Sequence, residues 1–161
     1  MASSPQGDGE RPGRSCPLTY RYSPLVLARE PELVADTVYV VGGLYGNPFA
    51  LKAVLQLAGD ERGSTALVFN GDFNWFNVDR PGFSAINEEV LRHRATRGNV
   101  ETAFAEAANA GCGCAYPDWV DDGEVERSNA IMRELKETAE AFPILRQRLA
   151  ALPMYLSLIH I

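Results

Sequence analysis

Short apolar runs alternate along the chain with longer segments whose apolar residues recur every three or four positions. Residues 37–41 read Thr-Val-Tyr-Val-Val and end at two glycines, which is typical of a buried parallel strand before its loop. The next segment predicts a helix, with Asn47 as its N-cap and Pro48 in its first turn. One face of this helix carries the apolar residues Leu51, Val54, Leu55 and Ala58.

The same unit repeats twice in the central part of the chain. Residues 65–69 predict a second strand, 70–82 an aromatic loop, and Ser84 the cap of a second helix. A short third strand over 94–97 leads to Asn99, which is predicted to cap a further helix with Glu101 in its first turn. This alternation of strands and helices predicts an α/β fold with a mainly parallel sheet.

The remainder of the chain predicts helices and then an apolar end. Asp121 and Glu124 resemble a capping box that opens a long helix, which Pro143 should divide. Residues 154–161 look like a strand without a neighbour, so the domain is expected to be cut. We expect a disordered tail over 1–17, a partial domain over 18–155, and a non-native scar over 156–161, because this end resembles translated sequencing adapter.

Composition and charge narrow the class of protein. The chain has 161 residues, of which 46% are hydrophobic and 22% charged, an ordinary globular mixture. The net charge of −6 argues against a nucleic-acid surface. We interpret the one basic cluster as a solvated helix end, and contact with an anionic substrate is the alternative. The cluster consists of Arg92, His93, Arg94 and Arg97.

The sequence predicts a cytoplasmic protein with reduced thiols. No apolar run approaches the roughly 20 residues that span a bilayer, and the first residues lack the apolar stretch of a signal peptide. Among the three cysteines, Cys112 and Cys114 are too close for a CxxC zinc or redox hairpin and are interpreted as free thiols in a loop.

Two turns carry candidate metal ligands. Asp72 follows the second predicted strand and Asn99 follows the third, each directly after a glycine. Carboxylate and amide oxygens are hard ligands for divalent cations, and the carboxyl ends of neighbouring parallel strands converge on one crevice. The sequence therefore predicts a metal site at Asp72 and Asn99, although Gly-Asp is also common turn chemistry and Gly-Asn is also explained by helix capping.

The order of these motifs resembles that of the calcineurin-like metallophosphoesterases over residues 37 to about 110. The resemblance implies the N-terminal half of an αββα sandwich, with one or two divalent ions of the Mn, Fe, Zn or Mg class. It also implies hydrolysis of a phosphoester in a small molecule or a phosphoprotein, assisted by metal. In this resemblance Asp72 matches the bridging aspartate and Asn99 the asparagine ligand.

The chain departs from the family pattern at several positions. Gly43 and Tyr45 replace the aspartate and histidine of the first motif, and Val100 replaces the histidine that would contact the phosphate. The remaining family histidines should lie beyond residue 161, and His160 is not assigned to either. We therefore expect a divergent, impaired phosphoester hydrolase with no assigned catalytic residue.

Two other functions stay open. The first is a phosphoesterase-fold module that binds or regulates without catalysis. The second is a nucleotide-binding α/β domain, although the spacing of the glycines near Gly43 does not match GxGxxG. The aromatic residues of the 70–82 loop are interpreted as a hydrophobic lid or interface rather than a base-stacking platform, given the acidic charge.

Overall fold

The structure, a computed structural model, describes residues 11–15, 23–28, 30–105 and 111–157. A short 3-10 helix at Pro24–Leu27 precedes the following elements: β1 Thr37–Val41, α1 Pro48–Asp60, β2 Thr65–Asn70, α2 Arg80–Val90, β3 Arg94–Thr96, α3 Asn99–Ala105, α4 Asp122–Glu140 and α5 Pro143–Ala150. The chain is therefore α/β, as the pattern predicts. Within the described ranges, no helix combines the length and the apolar character that crossing a bilayer requires.

The three strands form one parallel sheet in the order β1-β2-β3. Thr37 pairs with Thr65 in the first ladder, and Phe69 pairs with Ala95 in the second. All four residues lie within the predicted strands. Because all strands run the same way, the turns that follow them lie along one edge of the sheet. This confirms the predicted parallel arrangement and places the candidate ligand turns beside each other.

Local turn chemistry explains the starts of α1 and α2. The Asn47 side chain accepts from the backbone N–H groups of Phe49 and Ala50, both at 3.0 Å, as predicted. Helix α2 begins earlier than predicted, because Asp79 caps it by accepting from Gly82 N at 2.8 Å. The prediction of Ser84 as the cap is wrong.

Helix α3 starts in a way that the local sequence does not reveal. Asn99 is its first residue rather than its N-cap, and its Nδ2 donates to the Cys112 carbonyl at 3.0 Å. Asp72 Oδ1 instead accepts from Val100 N at 3.1 Å. The cap of α3 therefore comes from the turn after β2, and the prediction for Asn99 as a cap is wrong.

The C-terminal helices follow the prediction in part. Asp121 caps α4 through Gly123 N at 2.9 Å, whereas Glu124 pairs with Arg127 instead of completing a capping box. Pro143 opens α5, so the predicted division is confirmed. Residues 154–157 form no strand, which corrects the expected strand there, and residues 158–161, including His160, lie outside the described ranges.

Buried aromatic and aliphatic side chains from the helices pack together in the core. Phe83 packs edge-on against Phe104 with ring centroids 6.1 Å apart, and it stacks on Phe142 at 5.5 Å. Leu135 and Leu149 are fully buried in the same cluster and bring α4 and α5 onto it. This packing holds α3, α4 and α5 against one another and against α2.

Candidate functional site

A cleft of about 430 Å³ opens where the three strands end. The turns after the strands form one side of it and α4, with the preceding loop, forms the other. The lining residues are Tyr45, Asp72, Trp75, Phe76, Asn99, Val100, Cys114, Tyr116, Glu124, Arg127, Ser128 and Ile131. Both predicted metal ligands, Asp72 and Asn99, therefore line the same cleft.

Each candidate ligand has one side-chain oxygen without a hydrogen-bond partner among the described residues. Asp72 uses Oδ1 for Val100 N, and its Oδ2 has no hydrogen-bond partner in the described part of the chain. Asn99 uses Nδ2 for the Cys112 carbonyl, and its Oδ1 likewise has no partner there. No group of three or more His, Cys, Asp or Glu side chains arranged to hold a metal ion occurs among the described residues. The side-chain oxygens without a partner among the described residues at this edge are thus Asp72 Oδ2 and Asn99 Oδ1.

The turn after β1 contributes shape rather than ligands. Gly43 has φ +59°, and a Cβ placed on it would lie 3.1 Å from the Tyr45 ring, which covers the glycine. Gly46 N donates to the Phe73 carbonyl at 2.8 Å and ties this turn to the loop after β2. Val100 is 3% exposed and gives the cleft an apolar floor.

Steric contact explains the two glycines that precede Asp72 and Asn99. A Cβ on Gly71 would lie 2.6 Å from Gly98 N, and a Cβ on Gly98 would lie 2.0 Å from Asp72 Oδ1. The turns after β2 and β3 therefore touch backbone to backbone, which only glycine permits. This contact brings Asp72 within reach of α3.

Strained backbone is concentrated around the cleft. Within the described residues, positive φ at non-glycine positions occurs at Tyr45 (51°), Asp72 (53°), Phe76 (67°) and Ala115 (51°). The first three line the cleft, and Ala115 lies between two lining residues. Each such conformation costs about 1–3 kcal/mol, and strain of this kind gathers at functional sites. The clustering supports a functional role for this edge.

A buried carboxylate, which the sequence pattern does not reveal, accepts hydrogen bonds from the turns that carry Asp72 and Asn99. Glu101 is fully buried, and its carboxylate accepts from Asp72 N at 2.8 Å and from Gly98 N at 3.0 Å. It also accepts from the backbone N and Nδ2 of Asn74 at 3.3 and 3.2 Å. The signal in the sequence is a Glu in a helix first turn, which is equally common on exposed helices.

Asn74 extends this buried network. It exchanges two hydrogen bonds with Asn87, at 3.0 and 2.8 Å, and accepts a third from Asn77 at 3.2 Å. Asn74 and Asn87 are fully buried and come from the aromatic loop and from α2. A reciprocal amide pair of this kind fixes the loop that carries the cleft residues.

Two carboxyl groups at the cleft have raised pKa values. Burial, and then the neighbouring Asp72 carboxylate, raises the pKa of Glu101 to about 7, with its hydrogen bonds partly offsetting the rise. Burial also raises the pKa of Asp72, and the Val100 N–H partly offsets this. Neither carboxylate forms an ion pair with a described basic residue. Arg127, on the opposite wall, pairs with Glu124.

The cysteines beside the cleft differ from the prediction. Cys112 and Cys114 form a disulfide, where the sequence predicts two reduced thiols. The intervening Gly113 has φ +65°, and this tight turn brings the two Cα atoms to 5.3 Å, within the range that disulfides span.

No family model, no characterised protein and no solved structure matches this chain significantly.

Proposed function

We propose that the cleft binds one divalent cation through Asp72 and Asn99, and that the protein is a divergent, impaired phosphoester hydrolase of the metallophosphoesterase type. The observation that carries the proposal is the meeting of these two side chains in one cleft, each with an unengaged oxygen. The chain would then contribute the first half of an αββα sandwich.

The residues fit one hard cation and do not fit two. One carboxylate and one amide oxygen suit an ion of the Mg²⁺ or Mn²⁺ kind, which keeps several waters and takes further ligands from a phosphate. A second ion finds no ligand at Gly43, and the Tyr45 phenol is a poor substitute for imidazole. When bound, such a cation polarises a phosphate and lowers the pKa of a coordinated water.

The chain's own residues orient the site and limit its rate. The Val100 N–H fixes Asp72, and the Cys112 carbonyl fixes the amide of Asn99. Arg127 lies on the opposite wall, where its guanidinium can bind phosphate oxygens once it leaves Glu124. Val100 cannot give a proton to a leaving group, so slow turnover is expected.

The test separates the charge of Asp72 from its role as a cap. In Asp72→Asn, the remaining Oδ1 can still accept from Val100 N, whereas Asp72→Ala loses both functions. We expect the wild type to bind one Mn²⁺ in calorimetry and to hydrolyse bis(4-nitrophenyl) phosphate slowly. Asp72→Asn should weaken Mn²⁺ binding by at least about tenfold and abolish turnover without loss of stability.

Asp60→Asn, at the exposed end of α1, is the control for a general loss of negative charge and should bind Mn²⁺ like the wild type. Equal Mn²⁺ affinity in Asp72→Asn and the wild type would refute the proposal that Asp72 binds the cation.

The non-catalytic binding module is the second candidate. It is favoured by Val100, which is buried and apolar where the resemblance requires a histidine. Binding of Mn²⁺ and of inorganic phosphate, together with no detectable hydrolysis, would select this function over the enzyme.

A further inference from the structure

Residues 11–15, called the N-terminal strap here, dock against α4 and against residues 111–121, called the cleft loop. Arg14 donates to the carbonyls of Pro117 at 2.7 Å and Val120 at 2.9 Å, and it pairs with Asp122. Its side chain is only 8% exposed. The strap lies within the predicted disordered tail, the rest of which lies outside the described residues.

The N-terminal strap fits the surface of α4 and the cleft loop by shape as well as by charge. Gly13 has φ +83°, and a Cβ placed on it would lie 2.7 Å from Asn129 Oδ1 and 2.8 Å from Val125 Cγ1. Tyr116 N donates to the Gly13 carbonyl at 3.0 Å. A side chain at this position would force the strap off α4, so the contact is specific for glycine.

A continuous chain of hydrogen bonds joins the strap to the cleft. Asn129 donates Nδ2 to the Pro12 carbonyl at 3.1 Å and accepts from Cys112 N at 3.0 Å. The Cys112 carbonyl in turn accepts from Asn99 Nδ2 at 3.0 Å. Because this last bond engages Nδ2, it decides that Oδ1 is the atom left for a ligand.

From this connection we infer that the N-terminal strap is a positioning element that holds the cleft loop and, through it, the Asn99 amide. The seated strap keeps the cleft loop ordered and Oδ1 available. Release of the strap loosens the cleft loop, frees the amide to rotate, and weakens binding at the cleft. The part of this inference that concerns cation binding rests on the proposed function.

The first test measures docking without any metal. Amide hydrogen exchange of the cleft loop is compared in the wild type, Arg14→Ala and Gly13→Ala. Loss of hydrogen bonds from a charged donor should speed exchange by about tenfold in Arg14→Ala. Arg11→Ala is the matched control, because the Arg11–Asp118 pair is exposed and should contribute little.

A synthetic peptide with the sequence of residues 11–15 should restore protection to Arg14→Ala. If amide exchange of the cleft loop is no faster in Arg14→Ala than in Arg11→Ala, the inference that the strap holds the cleft loop is wrong.

The second test measures coupling to the cleft. Mn²⁺ affinity should fall by about three- to tenfold in Arg14→Ala and in Gly13→Ala, with no change in Arg11→Ala. Faster exchange with unchanged Mn²⁺ affinity would overturn the coupling to Asn99. Absence of Mn²⁺ binding in the wild type would instead refute the proposed function, while the exchange experiment still decides whether the strap holds the loop.

Discussion

The buried carboxylate of Glu101 predicts that the protein loses stability as the pH rises from 5 to 8. Burial raises its pKa from 4.5 to about 7, so the folded protein holds this proton more tightly than the unfolded chain. The stabilisation is complete below the unfolded pKa and is lost as the pH rises through the folded pKa. At about 1.4 kcal/mol per pKa unit, the loss is about 3 kcal/mol.

Other shifted carboxylates do not reverse this slope. Burial also raises the pKa of Asp72, so its contribution has the same sign. Hydrogen bonds lower the pKa of Asp36 through Ser64 and of Asp118 through Arg11, so the stabilisation from these groups is lost only in more acidic solution. The window from pH 5 to 8 therefore reports mainly on Glu101.

The assay is urea unfolding followed by tryptophan fluorescence, at pH 5, 6, 7 and 8, with a chelator present to remove cations. The free energy of unfolding should fall by about 3 kcal/mol over this range at a constant m-value. Glu101→Gln should remove most of the slope. The variant should also be less stable at pH 5, because only one atom of the amide group can accept, whereas both oxygens of the protonated carboxyl group can still accept from the N–H donors.

Glu134→Gln, at an exposed position of α4, is the control and should keep the slope of the wild type. A wild-type stability that is constant or rises from pH 5 to 8 would refute the reasoning, since it would mean that the four N–H donors fully compensate for burial.

Three further predictions concern packing and ligands. Gly98→Ala should destabilise the protein by more than about 3 kcal/mol in urea unfolding, because the new Cβ would lie 2.0 Å from a carboxylate oxygen. The control is Gly59→Ala in α1, which should be neutral or stabilising because its Cβ would meet nothing within 4 Å. Asn87→Ala should cost about 1–3 kcal/mol in the same assay, since it leaves a buried amide without its partner. Gly43→Asp with Tyr45→His should raise bound Mn²⁺ from one towards two by elemental analysis, and Gly43→Asp alone should not, because the tyrosine ring covers that position.

The sequence by itself determined the parallel α/β framework and the edge where the candidate ligands meet. The strand at 37–41 and the helix capped by Asn47 follow from residues within a few positions of each other, so local periodicity and turn chemistry suffice to predict them. The position of Asp72 and Asn99 after neighbouring strands was equally readable, because parallel strands necessarily end at one edge.

The tertiary structure alone decided how those side chains are used. Asp72 caps α3 from the turn after β2, and the N-terminal strap reaches the cleft loop across more than 100 residues. Glu101 is buried because the turn after β2 closes over it, an event that no pattern within its own helix encodes. These roles depend on partners that are distant in sequence, and only the folded chain brings such partners within hydrogen-bonding distance.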